Sequence, residues 1–99
     1  MLLFATAEYH DKAAYDRYVE LSTPIFMREG VNVIGNDEAA AFFGLPGDKA
    51  ILLEFRDEAH MKHFFALPDY QAAAKHRDAG ATMRMVQFRR FPSEGFGPT

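Results

Sequence analysis

The sequence contains no cysteine, and it has no long run of apolar residues or of like charges. Without cysteine, a disulfide framework, a thiolate metal site and a cysteine nucleophile are excluded. No apolar stretch approaches the roughly 20 residues that a membrane-spanning helix needs. A cysteine-free chain is compatible with the reducing cytoplasm, so we predict a cytoplasmic location and no membrane partner.

The charge balance argues against a nucleic-acid partner. The chain has 11 Lys and Arg against 14 Asp and Glu, which gives a formal net charge of −3. A nucleic-acid-binding domain usually carries a basic patch. A run of five like charges, which would indicate a charged tail, is also missing from this sequence. We therefore expect no nucleic acid among its partners.

The residues that are present suit one globular domain. The 99 residues are 48% hydrophobic, which is typical of a single domain with one modest core. We place that domain at residues 1–91. Residues 92–99 are rich in glycine and proline, and we predict a tail that is mobile or ordered only by a partner.

Alternating apolar positions predict the strands. The strongest is Lys49–Arg56, where Ile51, Leu53 and Phe55 share one face and the other face is also mostly apolar. Pro and Gly in Leu45-Pro46-Gly47-Asp48 predict a type II turn before this strand. The other predicted strands are Leu2–Tyr9, an interrupted strand formed by Val31–Gly35 and Ala39–Gly44, and Thr82–Phe91.

The first helix is predicted by its capping residues. Asp11 can cap a helix that runs from Lys12 to about Arg28, and Gly30 can close it in the left-handed conformation. Pro24 lies inside this pattern. It is predicted to kink the helix or to restart it, with Thr23 as a second cap.

Two more helices complete the predicted order. Asp57 can cap a helix through about Leu67, and Pro68 can begin a shorter one over Asp69–Asp78 that Gly80 ends. The order β-α-β-β-α-β, with an extra short helix, predicts an α+β ferredoxin-like fold with a four-stranded antiparallel sheet. Right-handed crossovers place both long helices on one face of that sheet.

The other face of the sheet predicts a homodimer. Several strands are apolar on both faces, and an exposed apolar face of many hundred Å² is unusual in a monomer. Two copies packed sheet on sheet would form a dimeric α/β barrel. The pattern leaves open which face of each strand meets the helices. Candidates for the seam are Phe42 or Phe43, Leu52, Met83 and Met85.

Several motifs resemble a known family over nearly the whole chain. They are Tyr15-x-x-Tyr18, Pro24, Gly30, the strand ending at Phe55, and above all Pro68-Asp69-Tyr70-Gln71 followed by Arg77. This set resembles the family of domains of unknown function numbered 1330, in the dimeric α/β-barrel superfamily. Members usually carry Trp where this chain has Phe64 or Phe65, and a second Gly where it has Val31.

The resemblance implies a cleft and a dimer, and it implies no particular reaction. The superfamily includes cofactor-free monooxygenases, lactone isomerases, dye-handling peroxidases and haem-degrading proteins. A cofactor-independent enzyme of the monooxygenase or isomerase kind is therefore one expectation. We predict no cofactor.

The short third helix carries the best candidate site. Tyr70 and Arg77, with Ala73 and Ala74 between them, fall on one helix face. A guanidinium and a phenol can hold a small anionic or carbonyl ligand. The alternative is structural and is the one that the spacing favours: Arg77 pairs with a carboxylate such as Glu54 or Glu8 and locks the helix.

Other candidates are aromatic or histidine residues. Tyr15, Tyr18 and Phe65 are predicted to line a ligand pocket, although for the tyrosines the pattern favours a packed core stripe with hydroxyls that reach the rim. His60 borders the apolar face of the second helix and joins Tyr70 and Arg77 as a catalytic candidate. His60 and His63 are three residues apart, but two histidines without a third ligand predict no metal site.

Two functions remain open at this point. The first is a small-molecule binding protein or cofactor-independent enzyme with an anionic or aromatic ligand in a cleft between helices and sheet. The second is a non-catalytic dimeric scaffold or regulatory module. An open pocket of a few hundred Å³ that contains Arg77 and a tyrosine hydroxyl favours the first. A closed core with Arg77 fully paired favours the second.

Overall fold

A computed structural model describes residues 1–38 and 41–91 of the chain, and the predicted tail at 92–99 lies outside these residues. The order of elements confirms the predicted β-α-β-β-α-β arrangement with an extra helix. The elements are β1 (Leu2–Tyr9), α1 (Lys12–Arg28), β2 (Asn32–Asp37), β3 (Lys49–Glu54), α2 (Glu58–Ala66), α3 (Pro68–Gly80) and β4 (Ala81–Phe88). Among the described residues, no helix is long and apolar enough to span a bilayer.

The four strands form one antiparallel sheet in the order β2-β3-β1-β4. This is the strand order of the ferredoxin-like fold, with the two strands of greatest apolar content, β1 and β3, at the centre. β2 pairs with β3 through a bulge between Val33 and Gly35. The bulge lies on an edge strand, where such irregularities are common.

The predicted helix ends are confirmed. The Ala14 N–H donates to the carboxylate of Asp11 over 3.3 Å at the start of α1. At the other end, Gly30 has a φ of 69°, and the Val31 N–H donates to the Phe26 carbonyl over 3.0 Å. This six-residue closure satisfies a carbonyl that the helix end would leave unpaired. Asp57 caps α2 in the predicted way.

Pro24 does not interrupt α1, so the prediction of a second helix start at Thr23 is wrong. The Thr23 hydroxyl donates to the Val19 carbonyl over 2.6 Å instead of capping a new turn. Ser22 and Ile25, which flank this position, are both buried. Packing of the helix face offsets the one backbone hydrogen bond that proline removes.

The segment between β2 and β3 differs from the predicted tight hairpin. Residues 41–48 are not a strand, and Ala39 and Ala40 lie outside the described residues. Gly47 does not have the positive φ that a type II turn requires, so that prediction is wrong. A Cβ on Gly47 would come within 3.0 Å of the Phe42 ring and 3.3 Å of Thr6 Cβ. The segment therefore folds back over the Thr6 end of the sheet.

The strand register decides which face of the sheet meets the helices. Leu3, Ala5 and Ala7 of β1 are buried in the core with Leu53 and Phe55. In an antiparallel sheet, directly opposed residues share a face. Residues of odd number in β1, β3 and β4 therefore face the helices.

Met83 and Met85 lie on the helix side of the sheet, so their prediction as seam residues is wrong. They pair with Ala7 and Ala5, which are core residues. Alternation in the sequence defines the two faces of β4 but does not show which of them meets the helices. Only the pairing of β4 with β1 shows this. The opposite face, called the open face below, contains Leu2, Phe4, Leu52, Val86 and Phe88.

Candidate functional site

A cavity of about 250 Å³ lies between α1 and the helix side of the sheet. All four strands contribute to its wall, and most of the side chains are apolar. Polar groups enter at a few positions only, among them Tyr15, Ser22, Asn36, Lys49 and Arg77. A mostly apolar wall with a few polar groups is the usual composition of a small-molecule site.

The structure brings the five predicted ligand-binding residues to this one cavity. Tyr15 and Tyr18 project from α1, Phe65 from α2, and Tyr70 and Arg77 from α3. Three separate helices supply them because α3 packs along α1 and α2 precedes it directly. What these residues bind stays a prediction.

Tyr18, Tyr70 and Arg77 form a hydrogen-bonded chain at the wall of the cavity. Arg77 Nη1 donates to the Tyr70 hydroxyl over 3.0 Å, and the hydroxyls of Tyr70 and Tyr18 are 2.8 Å apart. Both phenols are buried. Burial raises the pKa of Tyr18, because an anionic phenolate would lose its hydration. The chain of hydroxyl groups therefore holds the guanidinium in place.

Arg77 is only partly paired. Its Nε donates to Asp78 over 3.0 Å, and its side chain is 14% exposed. Burial opposes the charged form, but the hydrogen bond to Asp78 and the nearby phenols outweigh it, so the pKa of Arg77 is raised. Within residues 1–38 and 41–91, Nη2 makes no hydrogen bond. That group remains available to a ligand.

The predicted structural partners of Arg77 were wrong. Glu8 and Glu54 have even numbers in β1 and β3, so they lie on the open face, across the sheet from the helices. There Glu54 pairs with Arg90 at 2.6 Å, and Glu8 lies 4.0 Å from Arg84. The carboxylate that Arg77 meets is its neighbour in the chain.

Tyr15 has a hydroxyl without a protein partner. Its side chain is buried and lines the cavity, and in the part of the chain that the structure describes its hydroxyl forms no hydrogen bond. Burial, and after it the phenol of Tyr70, raise the pKa of Tyr15 to about 12. The phenol thus stays protonated near neutral pH and can donate a hydrogen bond.

Lys49 is a site residue that the sequence analysis missed. It is only 6% exposed, and its Nζ lies 5.1 Å from the centre of the Tyr15 ring. The sequence does contain a signal for it. Alternation along β3 places Lys49 on the same face as Ile51, Leu53 and Phe55, and this face proved to be the helix side. A lysine in phase with a buried apolar face indicates a side chain that enters the interior.

The family comparison agrees with the motifs in the sequence. The family described as "Domain of unknown function (DUF1330)" matches residues 1–91. The chain belongs to this family. No curated protein matches the chain.

Solved structures similar to this DUF1330 chain show its fold. A protein of unknown function from Rhodopseudomonas palustris, RPA0582, has a TM-score of 0.79 at 20% identity, over 92% of this chain and 82% of that one. A dimeric protein of unknown function with a ferredoxin-like fold, from Bacteroides fragilis, has a TM-score of 0.61 at 14% identity, over 86% and 90%. SnoaB, a cofactor-independent oxygenase from Streptomyces nogalater, has a TM-score of 0.59 at 11% identity, over 93% and 95%.

His60 is the one predicted catalytic candidate of this DUF1330 chain that the structure places away from the cavity. It is buried where α1 ends beside α2. Its Nδ1 accepts from the Arg56 N–H over 3.0 Å, so Nε2 carries the proton and donates to the Glu29 carbonyl over 2.7 Å. With both ring nitrogens occupied, His60 joins the ends of two helices and is not free for acid–base chemistry.

The second histidine of the pair also has a protein partner. His63 is exposed, and its Nε2 lies 3.4 Å from a carboxylate oxygen of Glu29. Residues 1–38 and 41–91 contain no group of three or more metal-ligating side chains that could hold an ion.

Proposed function

We propose that this protein binds a small molecule with an aromatic or apolar body and one anionic group in the cavity between α1 and the sheet. The observation that supports this most directly is the pair of unused donors in an otherwise apolar wall. They are the Nη2 group of Arg77 and the hydroxyl of Tyr15. Both residues line the cavity, so a ligand acceptor there can take the hydrogen bonds that these donors leave unused.

The shape and composition of the cavity favour a small aromatic ligand. Its volume of about 250 Å³ is near the lower end of the range for ligand pockets, which suits a molecule with one ring. The rings of Tyr15, Tyr18 and Phe65 line it and can pack against an aromatic body. The Nη2 group of Arg77 can donate to a carboxylate, and the planar guanidinium suits a planar anion.

The cavity favours ligand binding over the alternative of an empty dimeric scaffold. A scaffold would have no need to keep a half-buried and partly paired arginine beside a void. Cofactor-independent catalysis is a finer version of the same proposal, since SnoaB, which shares the fold, is described as an oxygenase of that kind. Tyr70 and Arg77 would then touch the reacting molecule, with Arg77 stabilising negative charge that develops on it.

We further propose that the protein works as a homodimer formed through the open face. Phe4, Leu52 and Val86 stand in one row across three strands of that face. Val86 is 54% exposed and Phe88, one row away, is 45% exposed. A similar fold from Bacteroides fragilis is described as dimeric. Burial of this row against a second copy would remove the apolar surface from water.

Isothermal titration with benzoate and phenylacetate tests the binding proposal. Wild-type protein should bind one of these aromatic carboxylates, and Arg77→Met should weaken binding by about ten- to a hundredfold, the value of a hydrogen bond to a charged group. Arg17→Met is the matched control, because Arg17 lies on the exposed side of α1 and pairs with Glu20. It should bind as the wild type does.

The comparison requires folded variants, so circular dichroism and a thermal melt accompany each titration. If folded Arg77→Met binds as tightly as the wild type, the site lies elsewhere. If the wild type binds neither carboxylate, an aromatic anion is the wrong ligand class and the proposal fails.

A further inference from the structure

Lys49 lies in the wall of the same cavity, and among residues 1–38 and 41–91 its amine has no hydrogen-bond partner. The residue is 6% exposed and lines the cavity with Tyr15. In the described ranges 1–38 and 41–91, its Nζ forms no hydrogen bond and no ion pair. Its contact is with the face of the Tyr15 ring, 5.1 Å from Nζ to the ring centre. Lysine is rarely this buried unless its charge is paired.

The charges around Lys49 compensate it only from a distance. Asp16 and Lys12 of α1 and Glu38 after β2 act on it through space, and the two carboxylates favour the charged amine. Loss of hydration is the larger effect and lowers the pKa of Lys49. At a given pH, the fraction of neutral amine, which is the nucleophilic form, is therefore larger here than on a solvated lysine.

We propose that Lys49 is the reactive group of the cavity and that its ligand carries an aldehyde or ketone which condenses with this amine. The inference rests on the proposed function, because the ligand's anionic group would be held by Arg77 while its carbonyl meets Nζ. The carbonyl carbon forms a bond to Nζ and loses its bond to oxygen. Both amine hydrogens leave with that oxygen as water, so the product is an imine and no oxidant is needed.

Two features of the cavity suit this chemistry. The apolar wall limits the water that would hydrolyse an imine. The amine lies over the ring of Tyr15, whose uncharged phenol can donate a hydrogen bond to the carbonyl oxygen. The ligand class is thus an aromatic carboxylate with a carbonyl group at its other end.

The probe 4-carboxybenzaldehyde combines these groups, and sodium cyanoborohydride traps its imine as a stable amine. Peptide mapping by mass spectrometry then reports which lysines are modified. We expect Lys49 to be labelled about tenfold faster than the exposed Lys62, although burial alone would make it the slowest. Lys49 should also reach half-maximal labelling at a lower pH than Lys62.

Two variants test the assigned geometry. Arg77→Met should slow the labelling of Lys49 by 4-carboxybenzaldehyde because the carboxylate loses its anchor. Benzaldehyde has no carboxylate, so it should label Lys49 slowly and at the same rate in the wild type and in Arg77→Met. Lys62→Met should leave the labelling of Lys49 unchanged. Lys49→Met should abolish selective labelling. If that variant does not fold, the peptide map of the labelled wild-type protein still shows whether Lys49 is the reactive amine.

A second ligand separates this inference from the proposed function. The alcohol 4-(hydroxymethyl)benzoate has the same carboxylate and cannot form an imine. If the alcohol binds through Arg77 but labelling spares Lys49, the inference is overturned and the proposed function stands. If Lys49 is labelled selectively while the alcohol fails to bind, the assignment of Lys49 as the reactive amine stands, but the anion site and with it the proposed function are overturned. Failure of both overturns both.

Discussion

At the scale of single residues, Tyr15 and Tyr18 in the cavity wall and the adjoining Tyr9 all favour the neutral phenol in the folded protein. Burial raises the pKa of Tyr9, Tyr15 and Tyr18, and for Tyr9 the carboxylate of Glu38 adds to the effect. A phenolate at any of these positions would lose its hydration. The Arg77 guanidinium offsets part of that loss at Tyr15 and Tyr18 but does not reverse it. Folding and tyrosine ionisation therefore compete.

Alkaline pH should unfold the protein as these phenols ionise. The unfolded chain releases a tyrosine proton near pH 10, whereas the folded protein retains that of Tyr15 to about pH 12. The folded state then binds more protons than the unfolded state, so stability falls as pH rises over this interval. Between these two pH values, the free energy of unfolding should fall by up to about 2 kcal/mol less in Tyr15→Phe than in the wild type.

Urea unfolding at several pH values measures that difference, with tyrosinate absorbance recorded in parallel. Tyr15→Phe has the matched ring and lacks the ionisable group. Lys49 acts in the opposite direction, since its lowered pKa makes the folded state more stable as pH rises toward the ordinary lysine value. Identical pH profiles for wild type and Tyr15→Phe would show that Tyr15 is hydrated in the folded protein.

The limit of sequence analysis at this scale is visible in two side chains. Tyr70 and Arg77 were found because helical spacing places positions i and i+7 on one face, which is local information. Lys49 was missed because its importance depends on which side of β3 is covered by helices. That side is set by contacts with α1, which are distant in the chain.

At the scale of elements, α3 and α1 meet through a contact that only glycine permits. Gly80 ends α3, and its carbonyl accepts from the N–H groups of His10 and Asp11 over 2.8 and 3.0 Å. A Cβ at Gly80 would lie 2.5 Å from Tyr15 N and 2.6 Å from Asp11 O. These two atoms form the first backbone hydrogen bond of α1.

Gly80→Ala should therefore destabilise the protein by about 2 kcal/mol, as overpacking of rigid backbone does. Alanine is by itself the better helix residue by up to about 1 kcal/mol, so a net loss would indicate the collision. Chemical denaturation gives the free energy of unfolding. Ala79→Ser, at the exposed neighbouring position, is the control and should change it by less than about 0.5 kcal/mol. A more stable Gly80→Ala would contradict the close contact.

Local signals predicted the elements well where one residue type performs one physical task. Asp11, Asp57 and Gly30 were identified because caps depend on the few residues around them. The connection between β2 and β3 could not be predicted in this way. Pro46 and Gly47 suit a type II turn, but the packing of Gly47 against Phe42 and Thr6 gives that segment another course. Tertiary contacts there override turn propensity.

At the scale of the whole molecule, the sheet separates the cavity from the open face. The cavity lies on the helix side, while Leu2, Phe4, Leu52, Val86 and Phe88 form the open face on the other side. A dimer through the open face would leave the cavity of each protomer intact. It would also support the strands from which Lys49 and the cavity-lining methionines project. Assembly and ligand binding can then be altered separately by substitution.

Val86→Glu tests the dimer at the centre of the open face. Val86 is 54% exposed and pairs with Phe4, which pairs in turn with Leu52. In a two-fold interface the new carboxylate would be buried near its symmetry mate, a cost of several kcal/mol. Sedimentation velocity at micromolar concentration should show a wild-type dimer and a folded Val86→Glu monomer. Ala13→Glu, at an exposed position of α1, should remain dimeric. A wild-type chain that sediments as a folded monomer would refute the interface.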